Sequence, residues 1–327
     1  MKVVLFCGGL GMRLRSFSDQ IPKPLVEIGS RPILWHLMKY YAHFGHRDFL
    51  LCLGHGGNAI KSFFLKYDEC VSNDFVLSEG GRRVELLKRD IDDWRITFVD
   101  TGPYASIGQR LRAVRHHLEG EEAFLANYSD GLSALDLDAY LDYFRRRGRI
   151  ACFLSVAAPH TFHIIEAEAD HTVRRLQAVA RSPVRINGGF FAFRREIFDY
   201  IRDGEDLVFE PFDRLIAGSQ LLAYPYDGFW RNMDTFKDKA QLDELIDQGK
   251  APWQVWLDGS GSTPETGTAS QEAGGGVPGI EGELAGLEGQ LLQQLQPGQP
   301  QAGALQAAEV VGPERTARAA GRLNGKG

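Results

Sequence analysis

The sequence predicts an α/β protein built on a doubly wound, mostly parallel, Rossmann-like sheet. Three observations carry that prediction. Met1 to Cys7 (MKVVLFC) is a short apolar run rich in Val and Leu, the pattern of a strand buried on both faces of a parallel sheet. Strand-like and helix-like runs then alternate as far as about Trp256, as repeated βα units require. Beyond Leu257 the pattern stops, which divides the 327-residue chain into a domain over 1–257 and a tail over 258–327.

The elements follow in order. Ile33 to Phe44 has helical apolar spacing, Asp48 to Leu53 reads as a strand, and Ala59 to Tyr67 reads as a helix. Trp94 to Val99 is a predicted strand, Leu111 to Leu118 a helix, and Ala123 to Tyr128 another buried strand. Leu137 to Arg147 is helical, Ile150 to Val156 extended, and Phe236 to Ile246 helical. Thr161 to Phe193 holds several short strand-like runs without long helices, the expectation for a small β-rich insertion that grips a second substrate. The tail from LDGSGSTPETGTAS onward has no aromatic residue, Cys or Met and is rich in Gly, Ala, Gln, Ser and Pro. It cannot bury enough apolar area to offset its ordering entropy, so disorder is expected there.

Composition narrows the function classes. A hydrophobic content of 43% with 24% charged residues is ordinary globular usage, and a net charge of -6 gives no nucleic-acid footprint. Cys7, Cys52, Cys70 and Cys152 are scattered without a CxxC, which reads as reduced thiols. His36, His43, His46 and His55 lack a metal-site spacing. No signal peptide or membrane-length apolar run is evident, and a cytoplasmic enzyme is expected.

The chemistry concentrates in the first thirty residues. The first strand runs into Gly8-Gly9-Leu10-Gly11-Met12-Arg13, where glycines let backbone N–H groups approach phosphate oxygens and Arg13 offers a planar fork. This loop lacks the GxGxxG spacing of a dinucleotide site and the Gly-Lys-Ser/Thr of a P-loop. Lys23 stands between Pro22 and Pro24, a nearly fixed backbone suited to a positioned point charge. Asp130 follows a predicted buried strand, where ligands gather in open α/β sheets and where a carboxylate can hold Mg2+ against phosphates. Asp234 is a second metal candidate. The plainer alternatives are a turn Asp at 130 and a helix N-cap at 234.

GGLGMRL with KPLVEIGSRPILWH resembles the sugar-1-phosphate nucleotidyltransferases, whose usual form is GGxGTRL followed by PKPxxxxxxxPxL. DFLLCLGHGG, WRITFVDTG, SDG, INGGFF, GFWRNMDT and QGKAPWQVW extend the resemblance over nearly all of residues 1–256, most closely to the glucose-1-phosphate cytidylyltransferases. The resemblance implies Mg2+ dependence and transfer of CMP from CTP to a sugar 1-phosphate, giving a CDP-sugar and pyrophosphate. It also implies a cytoplasmic homo-oligomer, often a hexamer, serving deoxysugar or surface-polysaccharide synthesis. On this basis Arg13 meets the leaving β,γ-phosphates, Lys23 the α-phosphoryl oxygens, and Asp130 with Asp234 the Mg2+. Leu5, Cys7, Gly8, Gly9 and Gly11, with Thr101 and Gly102, surround base and ribose, and Arg110 helps define the nucleotide site. Asn187 and Gly188 belong to the sugar-phosphate side.

The departures concern mainly that sugar side. The family's Glu-Lys-Pro before INGGFF is replaced here by Ala178-Val179-Ala180, and its RFG by Thr161-Phe162-His163. Ser129 replaces the first Gly of the usual GDG, and Met12 the Thr of GTR. Losing a charge-assisted phosphate contact costs roughly 1.5–3 kcal/mol. Three readings follow: the acceptor is not glucose 1-phosphate; Arg181, Arg185 or His163 replaces the lost Lys; or activity is lost. Retention of Lys23, Asp130 and Asp234 favours an active enzyme with an unusual acceptor. The alternative is a silent nucleotide- or sugar-phosphate-binding homologue with a regulatory or scaffolding role. A glycosyltransferase with a DxD metal site fits poorly, because Ser129-Asp130 lacks the first Asp.

Overall fold

A computed structural model describes residues 1–9, 21–87, 90–158 and 162–257. Gly11, Arg13 and the whole 258–327 segment lie outside these residues. Eight strands form the central sheet: β1 (Val3–Phe6), β2 (Asp48–Leu53), β3 (Arg95–Asp100), β4 (Ala123–Tyr128), β5 (Ala151–Ala157), β6 (Arg185–Asn187), β7 (Phe191–Arg194) and β8 (Leu221–Tyr226). Their path is β3-β2-β1-β4-β7-β5, and β5 also pairs with β6 and β8. The β3-β2-β1-β4 half is wholly parallel, β7 enters antiparallel to both β4 and β5, and β8 runs parallel to β5. The sheet is therefore mixed but mostly parallel, with the α/β architecture that the βα alternation predicts.

Side-chain alternation along β1 assigns the two faces. Val3 and Leu5 enter one buried cluster with residues of α1 (Ile33–His43), α2 (Gly57–Leu65), α4 (Leu137–Arg147) and α6 (Phe236–Asp247). Val4 and Phe6 enter the other, with residues of α3 (Ile107–Ala113) and α5 (Glu210–Ala217). Helices on both faces make the sheet doubly wound. The helix α4 shows how sequence dictates its element. Asp136 caps its start by accepting from the Ala139 N–H at 3.0 Å, and Gly148 ends it in the left-handed region at φ 61°. Leu137, Tyr140, Leu141 and Phe144 recur at 3.6-residue spacing and are its buried stripe. Burying each such side chain contributes roughly 1.5–3 kcal/mol.

The 161–193 region differs in part from expectation. Only His163–Ala167 and Val173–Ala178 form a separate antiparallel hairpin; β6 and β7 join the central sheet. INGGFF contains the break between those two strands. Gly188 donates to Leu154 O at 2.7 Å, while the Asn127 side chain accepts from the Phe190 N–H at 3.0 Å. Gly189 sits at φ 74°, and a Cβ there would lie 2.5 Å from Asn127 Oδ1, so only glycine fits. A second hairpin, Phe75–Ser78 with Arg83–Leu86, is not foreshadowed by the βα pattern.

Parallel register brings the functional segments to one edge. Phe6 pairs with both Cys52 and Tyr128, and Leu53 pairs with Asp100. Residues 7–9, 54, 101–102 and 129–130 consequently leave the C-terminal ends of adjacent strands together, where open α/β sheets place ligands.

Candidate active site

Two short strands assemble the acidic half of the site. Gly131–Ser133 pairs antiparallel with Trp230–Asn232, and Met233 N–H donates to Asp130 O at 2.9 Å. Trp230 and Met233 are buried, anchoring the second strand. Asp130 and Asp234, 104 positions apart in the chain, thereby converge on one atom. Lys23 Nζ donates to Asp130 Oδ2 and to Asp234 Oδ1, each at 2.6 Å.

Lys23 begins the three-residue 3-10 turn Lys23–Leu25. Leu25 N–H donates to Pro22 O and Val26 N–H to Lys23 O, so the Pro-Lys-Pro backbone is held on both sides of the lysine. Burial works against the Lys23 charge, but Asp130 and Asp234 outweigh it and hold its pKa above the ordinary lysine value. Asp130 does sit in the turn after β4, but Asp234 is not a helix cap. Thr235 is the N-cap of α6, forming a reciprocal capping box with Asp238, and the Asp130 carboxylate is directed to Lys23.

The donor set fits Mg2+. Two hard carboxylates face one point, and Mg2+ is usually held by one or two carboxylates, with phosphate and water oxygens completing its shell. Among the described residues no group of three His, Cys, Asp or Glu could hold a metal, so the remaining ligands would come from substrate and water.

Arg110 organises the opposite wall. Its guanidinium, only 3% exposed as a residue, donates to Leu53 O at 3.0 Å, Thr101 Oγ1 at 2.6 Å and Gly8 O at 2.9 Å. Burial pulls its pKa below the ordinary arginine value. One side chain thus ties the loops after β1, β2 and β3. A Cβ at Gly8 would lie 2.0 Å from Arg110 Nη1, so this glycine makes room for Arg110. Thr101 also donates through its hydroxyl to Leu53 O at 2.7 Å, and Gly102 takes φ 90° with its N–H on Asp100 Oδ1. Ser129 donates to Phe6 O at 2.9 Å, which gives the hydroxyl at this departure a structural partner.

The cleft between these walls is lined by Gly9, Lys23, Arg110, Tyr128 and Asp130, together with Ser106 and Asp206, which sequence reasoning missed. Asp206 Oδ1 is buried there without a hydrogen-bond partner. The Ser106–Gln109 capping box was the available signal for this wall, because its S-x-x-Q spacing marks the start of α3 at Ile107.

Several predicted site residues have other surroundings. Leu5 and Cys7 are fully buried in the core, and burial pushes the Cys7 thiol up to about 12, so neither side chain lines the cleft. Gly188 is buried, with its carbonyl accepting from Trp230 Nε1 at 2.8 Å, while Asn187 Oδ1 accepts from Gly189 N–H. Arg185 does not fit the role of replacement phosphate ligand. Its Nε donates to Ser155 Oγ, Nη1 to Asp227, and Nη2 to the carbonyls of Ser155 and Tyr226. His163 is exposed on the hairpin, paired in register with Ala178, and Arg181 ends the short exposed turn after it.

No protein-family model matches the chain. It is 38% identical over 258 residues to a glucose-1-phosphate cytidylyltransferase of Salmonella typhi, covering 78% of this chain and 100% of that protein. Identity and coverage are the same with the glucose-1-phosphate cytidylyltransferase of Salmonella typhimurium. In fold it matches a UDP-glucose pyrophosphorylase solved with UDP-glucose, with a TM-score of 0.57 at 12% identity, over 76% of this chain and 98% of that one. With the whole length of both relatives covered at that identity, and with the lysine and paired aspartates gathered beside the C-terminal ends of the parallel strands, the chain belongs to the glucose-1-phosphate cytidylyltransferase family of sugar-1-phosphate nucleotidyltransferases.

Proposed function

We propose that this enzyme transfers CMP from CTP to a sugar 1-phosphate other than glucose 1-phosphate, releasing pyrophosphate and using Mg2+ held by Asp130 and Asp234. The convergence of Lys23, Asp130 and Asp234 carries the reading. The acceptor's phosphate oxygen attacks the α-phosphorus and the bond to the β-phosphate oxygen breaks. The nucleophile is already an anion, so no strong general base is needed; positioning and charge stabilisation supply the acceleration. Lys23 supplies a positive charge for the α-phosphoryl oxygens. Arg110 holds the base-side loops in place through Gly8, Leu53 and Thr101. Arg13, outside the described residues, is assigned to the leaving phosphates. When bound, Mg2+ would neutralise phosphate charge.

The proposed acceptor rests on Ala178 and Val179, which stand where the family carries Glu and Lys, with His163 directly across the hairpin from Ala178. His163 and Arg181 are the cationic candidates that remain for the acceptor once Arg185 is accounted for. The retained lysine and carboxylates support activity over a silent homologue. Two features support self-association. Phe75, Leu77 and Val84 are exposed on one hairpin, and Ile165, Val173 and Leu176 on the other. No described helix is long and apolar enough to cross a membrane.

A matrix of nucleoside triphosphates against sugar 1-phosphates, read by pyrophosphate release, tests this. CTP should lead among nucleotides, and glucose 1-phosphate should be a poor acceptor. Preference for UTP or dTTP, or full efficiency with glucose 1-phosphate, would overturn the corresponding half.

A further inference from the structure

We propose that Lys23 is a built-in counter-ion to the Asp130–Asp234 pair, so that these carboxylates accept a divalent cation together with nucleotide and reject the cation alone. The inference rests on the assignment of Asp130 and Asp234 as metal ligands.

The geometry is specific. Lys23 Nζ lies 2.6 Å from one oxygen of each aspartate, so a single ammonium group spans the pair. Its side chain is 15% exposed, and Pro22 and Pro24 restrict the backbone on either side, so the ammonium is directed at the aspartates by a rigid base. The second Asp234 oxygen accepts from Asn232 Nδ2, which further orients that carboxylate. Both carboxylates keep partial exposure toward the cleft, 28% and 25% of their side chains, so a cation can reach them.

A divalent cation arriving alone must separate Lys23 from both carboxylates and leave a partly buried ammonium without an anionic partner. That loss opposes its binding. Nucleotide changes the balance. Its phosphates offer Lys23 new acceptors and contribute further oxygens to the cation, so the displaced ammonium is satisfied where the transfer needs it. Metal and nucleotide binding are then positively coupled through one side chain that has two alternative sets of partners.

The test uses Mn2+ alone as a spectroscopic substitute for Mg2+, with free Mn2+ followed by electron paramagnetic resonance. Without nucleotide, Lys23→Met should bind Mn2+ at least tenfold more tightly than wild type. Lys23→Arg, which keeps a cation, should bind as weakly as wild type. Circular dichroism checks folding, and Lys23→Gln replaces Lys23→Met if that variant does not fold. Equal or weaker Mn2+ binding by the folded neutral variant would overturn the inference, as would tight Mn2+ binding by wild type alone. Water-proton relaxation with Mn2+ and CTP separates the two levels of the argument. Wild type should show an enhanced signal that Asp130→Asn with Asp234→Asn abolishes. Retention of that signal in the double variant would overturn the metal assignment itself. A normal wild-type signal with unchanged Mn2+ binding by Lys23→Met would overturn only the role of Lys23.

Discussion

The two sides of this enzyme are built to different standards. On the nucleotide side, Arg110 and Lys23 are each held by several partners from distant parts of the chain. Arg110 reaches the loops after three strands, and Lys23 joins residues 107 and 211 positions away. On the proposed acceptor side, the 163–178 hairpin is a two-stranded ribbon whose Ile165, Val173 and Leu176 are exposed. A residue on such a ribbon can change with little cost to the core, whereas a change at Arg110 strands several buried carbonyls. If acceptor choice lies on this hairpin, as proposed, the contrast accounts for departures at Ala178 and Val179 beside a retained lysine and aspartate pair.

The sharpest way to break this comparison is at Lys23. Lys23→Ala should lower kcat by on the order of 10²–10³ while leaving the fold intact, since its work is charge stabilisation in the transition state. Near-wild-type turnover in steady-state kinetics would remove Lys23 from the mechanism.

Arg110 tests whether the rigidity is real. Arg110→Leu should destabilise the domain by about 2–3 kcal/mol, because Leu53 O and Gly8 O lose charged donors in a buried setting. Denaturant titration measures this, and a loss below about 0.5 kcal/mol would show that the loops hold without the tie.

The pH dependence probes the packing around His36. His36 donates through Nε2 to Ile28 O and accepts at Nδ1 from Trp253 Nε1, so the neutral ring pins the closing KAPW segment to α1. Burial, opposed by the bond to Ile28 O, lowers its pKa to about 4 from 6.5. The unfolded chain therefore binds the proton first. The His36 contribution is intact above about 6.5 and is lost as pH falls from there toward 4, at up to about 1.4 kcal/mol per pH unit. Urea unfolding of His36→Gln beside wild type should show a shallower loss over that window; identical profiles would assign the pH dependence elsewhere.

The smallest expected effect is on the acceptor side. Ala178→Glu with Val179→Lys should raise kcat/KM for glucose 1-phosphate by about tenfold, the equivalent of one charge-assisted contact, and lower it for the native acceptor. Unchanged discrimination would place acceptor choice away from this hairpin.

Much of this was legible in the chain because local patterns suffice for it. Hydrophobic period distinguishes a double-faced strand such as Val3–Phe6 from an amphipathic helix such as Leu137–Arg147, and Pro-Lys-Pro restricts its own backbone wherever it occurs. The lysine and both aspartates were also identifiable from their motifs. Tertiary structure alone decided what surrounds them. The pairing of 131–133 with 230–232 brings Asp130 and Asp234 onto Lys23, a meeting that no local period encodes. Likewise only the fold shows that the glycine at position 8 makes room for Arg110 and that the Leu5 and Cys7 side chains are buried. Arg185 reads as a free cation until Ser155, Tyr226 and Asp227 close around it. Backbone propensity depends on a few adjacent residues, whereas burial and hydrogen-bond satisfaction depend on whatever the fold brings near.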